Sequence, residues 1–128
     1  MPETDAIELK AFVPARDFQK SLTFYTDLGF QSRSVGEGLA YLKVDNCSFL
    51  LQDFYDPGLA NNLMLHLLVS DVLAWRERVV RSELPDRYDV KVEDVKTHPW
   101  GMTEFTLYDP SGVLWRIGQV TAANPIAV

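Results

Sequence analysis

An α+β fold built from two βαβββ modules is the architecture that this sequence predicts. Three observations carry the prediction. The order strand, helix, three strands occurs twice along 128 residues. Each occurrence has one amphipathic helix for four strands, so neither unit covers its own sheet and the two must bury their sheets together. A chain of this length, 47% apolar, suits one packed domain rather than two independent ones. We therefore read residues 1–128 as one domain, with a first module over about 7–52 and a second over about 62–120.

The elements follow in chain order. Ile7 to Val13 reads as a strand stopped by Pro14. Asp17 is an N-cap, and Phe18, Leu22 and Tyr25 recur at helical spacing behind it, with Phe24 and Leu28 widening the stripe. Gly29 ends that helix. Phe30–Val35, Leu39–Val44 and Ser48–Gln52 read as strands, separated by Gly36-Glu37-Gly38 and Asp45-Asn46 turns. Residues 53–62 read as a loop around Asp56-Pro57-Gly58. The order then repeats: strand Leu63–Val69, N-cap Asp71 with Val72, Trp75 and Val79 at helical spacing, and strands near Val90–Lys96, Met102–Tyr108 and Val113–Gln119. Asp109-Pro110-Ser111-Gly112 is the tight turn between the last two strands.

Composition removes whole classes. Eighteen acidic against twelve basic residues give a net charge of -6, and duplex nucleic-acid binders need a basic face. The same balance disfavours anionic membrane surfaces. Cys47 is the one cysteine, so no intrachain disulfide and no multi-cysteine zinc site is possible. No apolar run approaches the ~20 residues of a membrane helix. The polar, acidic Met1-Pro2-Glu3-Thr4-Asp5 start is unlike a secretory signal, so the expected location is the cytoplasm. No phosphate loop, Ser-His-Asp arrangement or dinucleotide fingerprint is present.

Two groups of residues point further. The first is Phe12-Val13-Pro14-Ala15-Arg16-Asp17, Ser21, Phe24-Tyr25 and Leu28-Gly29-Phe30. The second is His66-Leu67-Leu68-Val69, Asp71-Val72, Trp75, Trp100-Gly101, Glu104-Phe105, Asp109-Pro110-Ser111-Gly112 and Trp115-Arg116-Ile117. Together, over about residues 7–120, they resemble the vicinal oxygen chelate superfamily of glyoxalases, extradiol dioxygenases and bleomycin-resistance proteins, and most closely its bleomycin-resistance branch. The resemblance implies that the two modules form a cup-shaped mixed sheet, usually in a homodimer. It also implies, in the enzymes, a divalent metal held by His and Glu from the first and last strands of each module.

Those ligand positions fall here on Lys10, Met64 and Arg116, with the fourth among Ser48, Phe49, Leu50, Leu51 and Gln52. Cations and a thioether do not hold a hard divalent ion, so no metal and no cofactor is expected. His66 shares the strand face of Met64 and is expected to line the cup, the plainer alternative being a satisfied histidine in a half-buried sheet. Glu104 and Glu8 are candidate acceptors, or members of Glu104–Arg116 and Glu8–Lys10 ion pairs. Trp100, between Pro99 and Gly101, offers either a stacking surface or a loop plug. Tyr41, Phe49 and Phe54 are further stacking candidates, and Phe54 with Tyr55 is placed to gate the pocket or meet a second subunit. His98 is expected in an exposed loop without a partner. Trp75 is expected in the core, Trp115 and Ile117 facing a helix rather than the cup, and Cys47 at a turn without a nucleophile role.

The expectation is thus a metal-free small-molecule-binding protein resembling bleomycin-resistance proteins, with a bleomycin-like antibiotic as one ligand and a homodimer as the assembly. Its ligand-binding candidates are Tyr41, Phe49, Phe54, His66, Trp100, Glu104 and Arg116, and no catalytic residue is named. The alternative is a metal-dependent lyase or oxidoreductase of the glyoxalase or dioxygenase type. The acidic balance suits a cationic planar ligand, yet Lys10 and Arg116 put positive charge where relatives hold a metal, which weakens that inference.

Overall fold

A computed structural model of the chain describes residues 4–121. The first module consists of β1 (Phe12–Pro14), α1 (Phe18–Leu28), β2 (Gln31–Gly36), β3 (Leu39–Val44) and β4 (Cys47–Gln52). A short α2 (Pro57–Ala60) follows. The second module consists of β5 (Met64–Leu68), α3 (Val72–Arg81), α4 (Leu84–Tyr88), β6 (Lys96–His98), β7 (Met102–Tyr108) and β8 (Leu114–Val120). Each module forms its own four-stranded mixed sheet, ordered β1-β4-β3-β2 and β5-β8-β7-β6. In both, the first strand runs parallel to the last and lies at an edge. The expected α+β architecture, written twice, is the one observed.

Both main helices begin where their N-caps place them. Asp17 accepts from the Lys20 N–H at 3.1 Å and Asp71 from the Ala74 N–H at 3.1 Å. Gly29, at φ +123°, closes α1 in a region that side chains avoid. Arg78 of α3 donates to the Leu28 carbonyl at 3.3 Å, so one module's helix caps the other's.

Three details differ from the expected pattern. The first strand is shorter: residues 7–11 precede the ladder, and Ile7 and Leu9 are 91% and 95% exposed. The ladder begins at Phe12 opposite Leu50 although β4 runs back to Cys47; before it the segment is held by the Glu8 side chain, bonded to Tyr41 and Ser48, instead of by strand pairing. Two short helices, α2 and α4, are additions; Asp56 caps the first through the Gly58 N–H at 2.9 Å, and a proline lies in the opening turn of each. The strand expected near 90–96 is displaced to Lys96–His98, leaving Val92 in an isolated bridge to Leu107.

The modules share one core. Tyr25, Phe30 and Phe49 of the first surround Trp115 of the second, with Tyr25–Phe49 centroids 4.9 Å and Phe49–Trp115 centroids 5.4 Å apart. Trp75 packs half-buried against this core and Ile117 is fully inside it, as expected. A buried polar chain crosses the same junction. The Trp115 indole donates to the Tyr25 hydroxyl at 2.9 Å, and that hydroxyl donates to Asp109 at 2.6 Å. The other Asp109 oxygen accepts from the Ser111 and Val113 N–H groups at 2.8 and 2.9 Å. Burial raises the Asp109 carboxyl above its ordinary range despite these bonds, and burial followed by the charge of Asp109 pushes the Tyr25 phenol up.

Candidate functional site

Strand alternation gives each sheet a core face and a second face turned away from the helices. On the second face of the first sheet, Phe12, Leu50, Tyr41 and Arg33 form one cross-strand row. On that of the second sheet, His66, Arg116 and Thr106 form the corresponding row. The equivalent N-caps, Asp17 and Asp71, match Phe12 with His66, so the partner of Phe12, Leu50, is the counterpart of Arg116. That register fills the ligand position that sequence left open. The inherited metal positions are then Lys10, Leu50, Met64 and Arg116: an ammonium, a hydrocarbon, a thioether and a guanidinium. They do not fit a hard divalent ion. Among the described residues, no three His, Cys, Asp or Glu side chains are grouped to hold a metal.

In the second module a buried carboxylate organises the face. Glu104 is 5% exposed. Its Oε1 accepts from the Arg116 Nε at 3.0 Å and from an Arg116 terminal nitrogen. His98 Nε2 lies 3.2 Å from the same oxygen, and His66 Nε2 lies 3.8 Å from Oε2. The expected Glu104–Arg116 pair is present. His98, expected to be exposed and unpartnered, is half-buried at the end of β6 and stacks on Trp100 at 4.2 Å and 5°. The register explains the difference, because pairing of His98 with Met102 brings the ring onto the Glu104 face. Trp100 keeps about half its surface exposed while stacked, so it is a platform rather than a buried plug. Gly118 makes this convergence possible: a Cβ there would lie 3.2 Å from Glu104 Cβ and 3.3 Å from His66 Nε2.

A second polar group holds the segment before β1. Glu8 accepts from the Tyr41 hydroxyl at 2.7 Å, from the Ser48 hydroxyl, and from the Lys10 ammonium at 3.2 Å. The Ser48 hydroxyl first, then Tyr41, holds the Glu8 carboxyl down to about 2, so this anchor stays ionised far into acid. The Arg33 guanidinium sits 5.2 Å from the Tyr41 ring centroid on the same face.

Between the two sheets lies a cavity of about 590 Å³. It runs between the segment leading into β1 and strand β5, at the open edges of both sheets. Phe30, Phe49, Leu67 and Trp115 form its buried floor, while Leu9, Lys10, Ser48, His66 and Leu68 stand around its rim. Cys47, expected at a turn, is instead the exposed first residue of β4 and also borders the cavity.

The sequence-derived candidates are therefore distributed. His66, Glu104 and Arg116 meet on one face, with Trp100 joined through His98. Phe49 lies on the core face and meets His66 at the cavity, not Tyr41. Tyr41 belongs to the Glu8 group. Phe54, half exposed beyond β4, lies outside the residues lining the cavity; its carbonyl accepts from the Ala15 N–H at 3.0 Å. Sequence reasoning passed over Phe30, Leu65, Leu67 and Trp115 as cavity residues. Their signal is period-2 alternation beside an edge strand, which is indistinguishable in sequence from ordinary core.

Known proteins share this fold. A bleomycin-binding protein complexed with bleomycin superposes with a TM-score of 0.74 at 24% identity, covering 89% of this chain and 98% of its own. The bleomycin resistance determinant encoded on transposon Tn5 also reaches 0.74, at 21% identity over 91% of this chain and 100% of its own. TnmS3, an antibiotic binding protein from Streptomyces sp. CB03234, gives 0.71 at 25% identity, covering 93% and 99%. Lactoylglutathione lyase from Agrobacterium tumefaciens gives 0.67 at 18% identity, covering 91% and 96%. No curated protein matches the sequence. The family model of the Glyoxalase/Bleomycin resistance protein/Dioxygenase superfamily matches residues 9–117. That match spans both sheets, their parallel edge strands and the paired Asp109 turn, and on it the chain belongs to the Glyoxalase/Bleomycin resistance protein/Dioxygenase superfamily.

Proposed function

We propose that this chain binds and sequesters a small molecule, with no metal held by its own side chains, and that it acts in the cytoplasm. The observation that carries the reading is the exchange of the metal-ligand set for Lys10, Leu50, Met64 and Arg116 beside a mostly apolar cavity of about 590 Å³. That volume lies within the ~300–1,000 Å³ of small-molecule sites. Bleomycin, bound by a protein of the same fold, is the first ligand to test. In this reading His66 and Phe49 line the cavity, Glu104, Arg116 and Trp100 form the polar and stacking face reached through His66, and Tyr41 and Phe54 are outlying contacts.

Titration with metal-free bleomycin, followed by tryptophan emission, is expected to saturate. A flat titration up to high micromolar concentration rules out bleomycin as the ligand. Metal analysis of protein purified without chelators is expected to find none at stoichiometric level. Stoichiometric nickel, zinc, manganese or iron refutes the sequestration reading in favour of a lyase or dioxygenase.

We also propose that the functional unit is a homodimer. Ile7, Leu9, Met64 and Leu68 are exposed beside two open strand edges, an arrangement that a second copy would cover. Light scattering at tens of micromolar is expected to give twice the 14.5 kDa chain mass, and Leu9→Asp to shift the species toward monomer. A wild-type monomer at that concentration refutes the assembly.

A further inference from the structure

We propose that the seam cavity takes an uncharged, mainly apolar small molecule and excludes ions of either sign, because its polar rim is already paired. This rests on the small-molecule reading above and names the class of its ligand.

The cavity floor is hydrocarbon and aromatic, from Phe30, Phe49, Leu65, Leu67 and Trp115. Filling it releases water from apolar surface, which favours a ligand in proportion to its own apolar area. Phe30, Phe49 and Trp115 hold one another edge to face, with centroids 5.3–5.7 Å apart. The floor is thus set before a ligand arrives, and little ordering opposes binding.

The rim decides the charge of the ligand. Its polar side chains are those of Lys10, Ser48 and His66, and each is turned to a carboxylate outside the cavity lining. The Lys10 ammonium lies 3.2 Å from Glu8, and the Ser48 hydroxyl donates to the same carboxylate. Glu8 also accepts from Tyr41 at 2.7 Å and stays ionised far into acid, so it answers the Lys10 charge across the physiological range. His66 Nε2 faces Glu104 at 3.8 Å. Among the described residues, no aspartate, glutamate or arginine lines the cavity, although the chain carries a net charge of -6. An anionic ligand therefore meets no cation that lacks a partner, and a cationic ligand meets no carboxylate. Either ion surrenders hydration over an apolar floor without an opposite charge to replace it. An uncharged molecule has no such loss.

Three ligands with one naphthalene body test this: naphthalenemethanol, naphthoate and naphthylmethylammonium, all substituted at the same ring carbon. Calorimetry with the full chain reads the affinities, and NMR shifts of the Leu67 and Leu68 methyl groups locate the site. The alcohol is expected to bind at least about ten-fold tighter than either ion, the scale of one charged hydrogen bond left unmade. Glu8→Gln keeps an acceptor for Tyr41 and Ser48 while removing the charge that pairs Lys10. That variant is expected to strengthen naphthoate about ten-fold relative to the alcohol. Equal or tighter binding of either ion by the wild type overturns the proposal and leaves the small-molecule reading standing. Naphthoate affinity unmoved by Glu8→Gln overturns it too, by removing the paired rim as the cause. Shifts that spare both leucines place the ligand elsewhere and overturn it. Affinity that falls as protein concentration rises makes a second copy the occupant, with the same result. Failure of all three ligands while bleomycin saturates overturns the uncharged class alone, and failure of bleomycin as well ends both readings.

Discussion

Tyr25 carries more than its ring. Its hydroxyl accepts from Trp115 and donates to Asp109, so replacing it with phenylalanine strands an indole N–H and a buried carboxylate. Tyr25→Phe is expected to cost about 1–3 kcal/mol, measured as a lower urea midpoint at unchanged slope. The phenol also sets an alkaline limit. Its folded-state pKa lies well above the 10.0 of a free phenol, so the unfolded chain ionises first. The stability it supplies is complete below pH 10 and falls as pH rises beyond that value. One tyrosine is expected to ionise only as the protein unfolds, which absorbance at 295 nm alongside circular dichroism would reveal; free titration of all tyrosines in folded protein contradicts this. Gly118→Ala is the matching test for the Glu104 face. Its methyl group meets Glu104 and His66 at 3.2 and 3.3 Å, so about 1 kcal/mol of strain and an outward-turned His66 are expected, the latter visible as a changed imidazole NMR shift.

At the scale of elements, the caps are separable. Asp71→Ala is expected to cost about 1 kcal/mol through the lost bond to the Ala74 N–H, read from the thermal midpoint. What the sequence shows of the elements follows from the range of the forces involved. α1 and α3 were legible because cap, stripe and stop lie within a few turns of one another. The β7–β8 hairpin was legible because Asp109-Pro110-Ser111-Gly112 is a local turn, with Gly112 at φ +95°. The first strand is shorter than its alternation suggests because pairing to β4 starts only at Phe12, and the segment before it is held through Glu8 by Tyr41 and Ser48, which are not local to residues 7–11. α2 and α4, of four and five residues, are too short for a periodic signal, and Asp56-Pro57-Gly58 reads as a turn as readily as a helix start. The site divides the same way. His66 follows Met64 at the strand period, and Glu104 faces Arg116 across a hairpin, so that pair was foreseeable. His98 was not, because only the displaced β6 register carries it to Glu104. The cavity was not either, since two open edges meeting across a core is a tertiary fact.

For the molecule as a whole, the shared aromatic core outweighs the division into two sheets. Tyr25, Phe30, Phe49 and Trp115 contact one another across the module boundary, so neither sheet keeps its core alone. One cooperative unfolding transition is expected, with tryptophan emission and far-ultraviolet dichroism coincident; separated midpoints would mean that the modules unfold independently.

The open edges have a further consequence, for solubility. A strand edge with exposed apolar residues is a template for uncontrolled pairing with other chains. The segment before β1 interleaves Ile7 and Leu9 with Glu8 and Lys10, and those charges oppose the stacking of identical segments. β5, Met64-Leu65-His66-Leu67-Leu68, carries no such charge while His66 is neutral. Aggregation should therefore start at β5 rather than at the segment before β1.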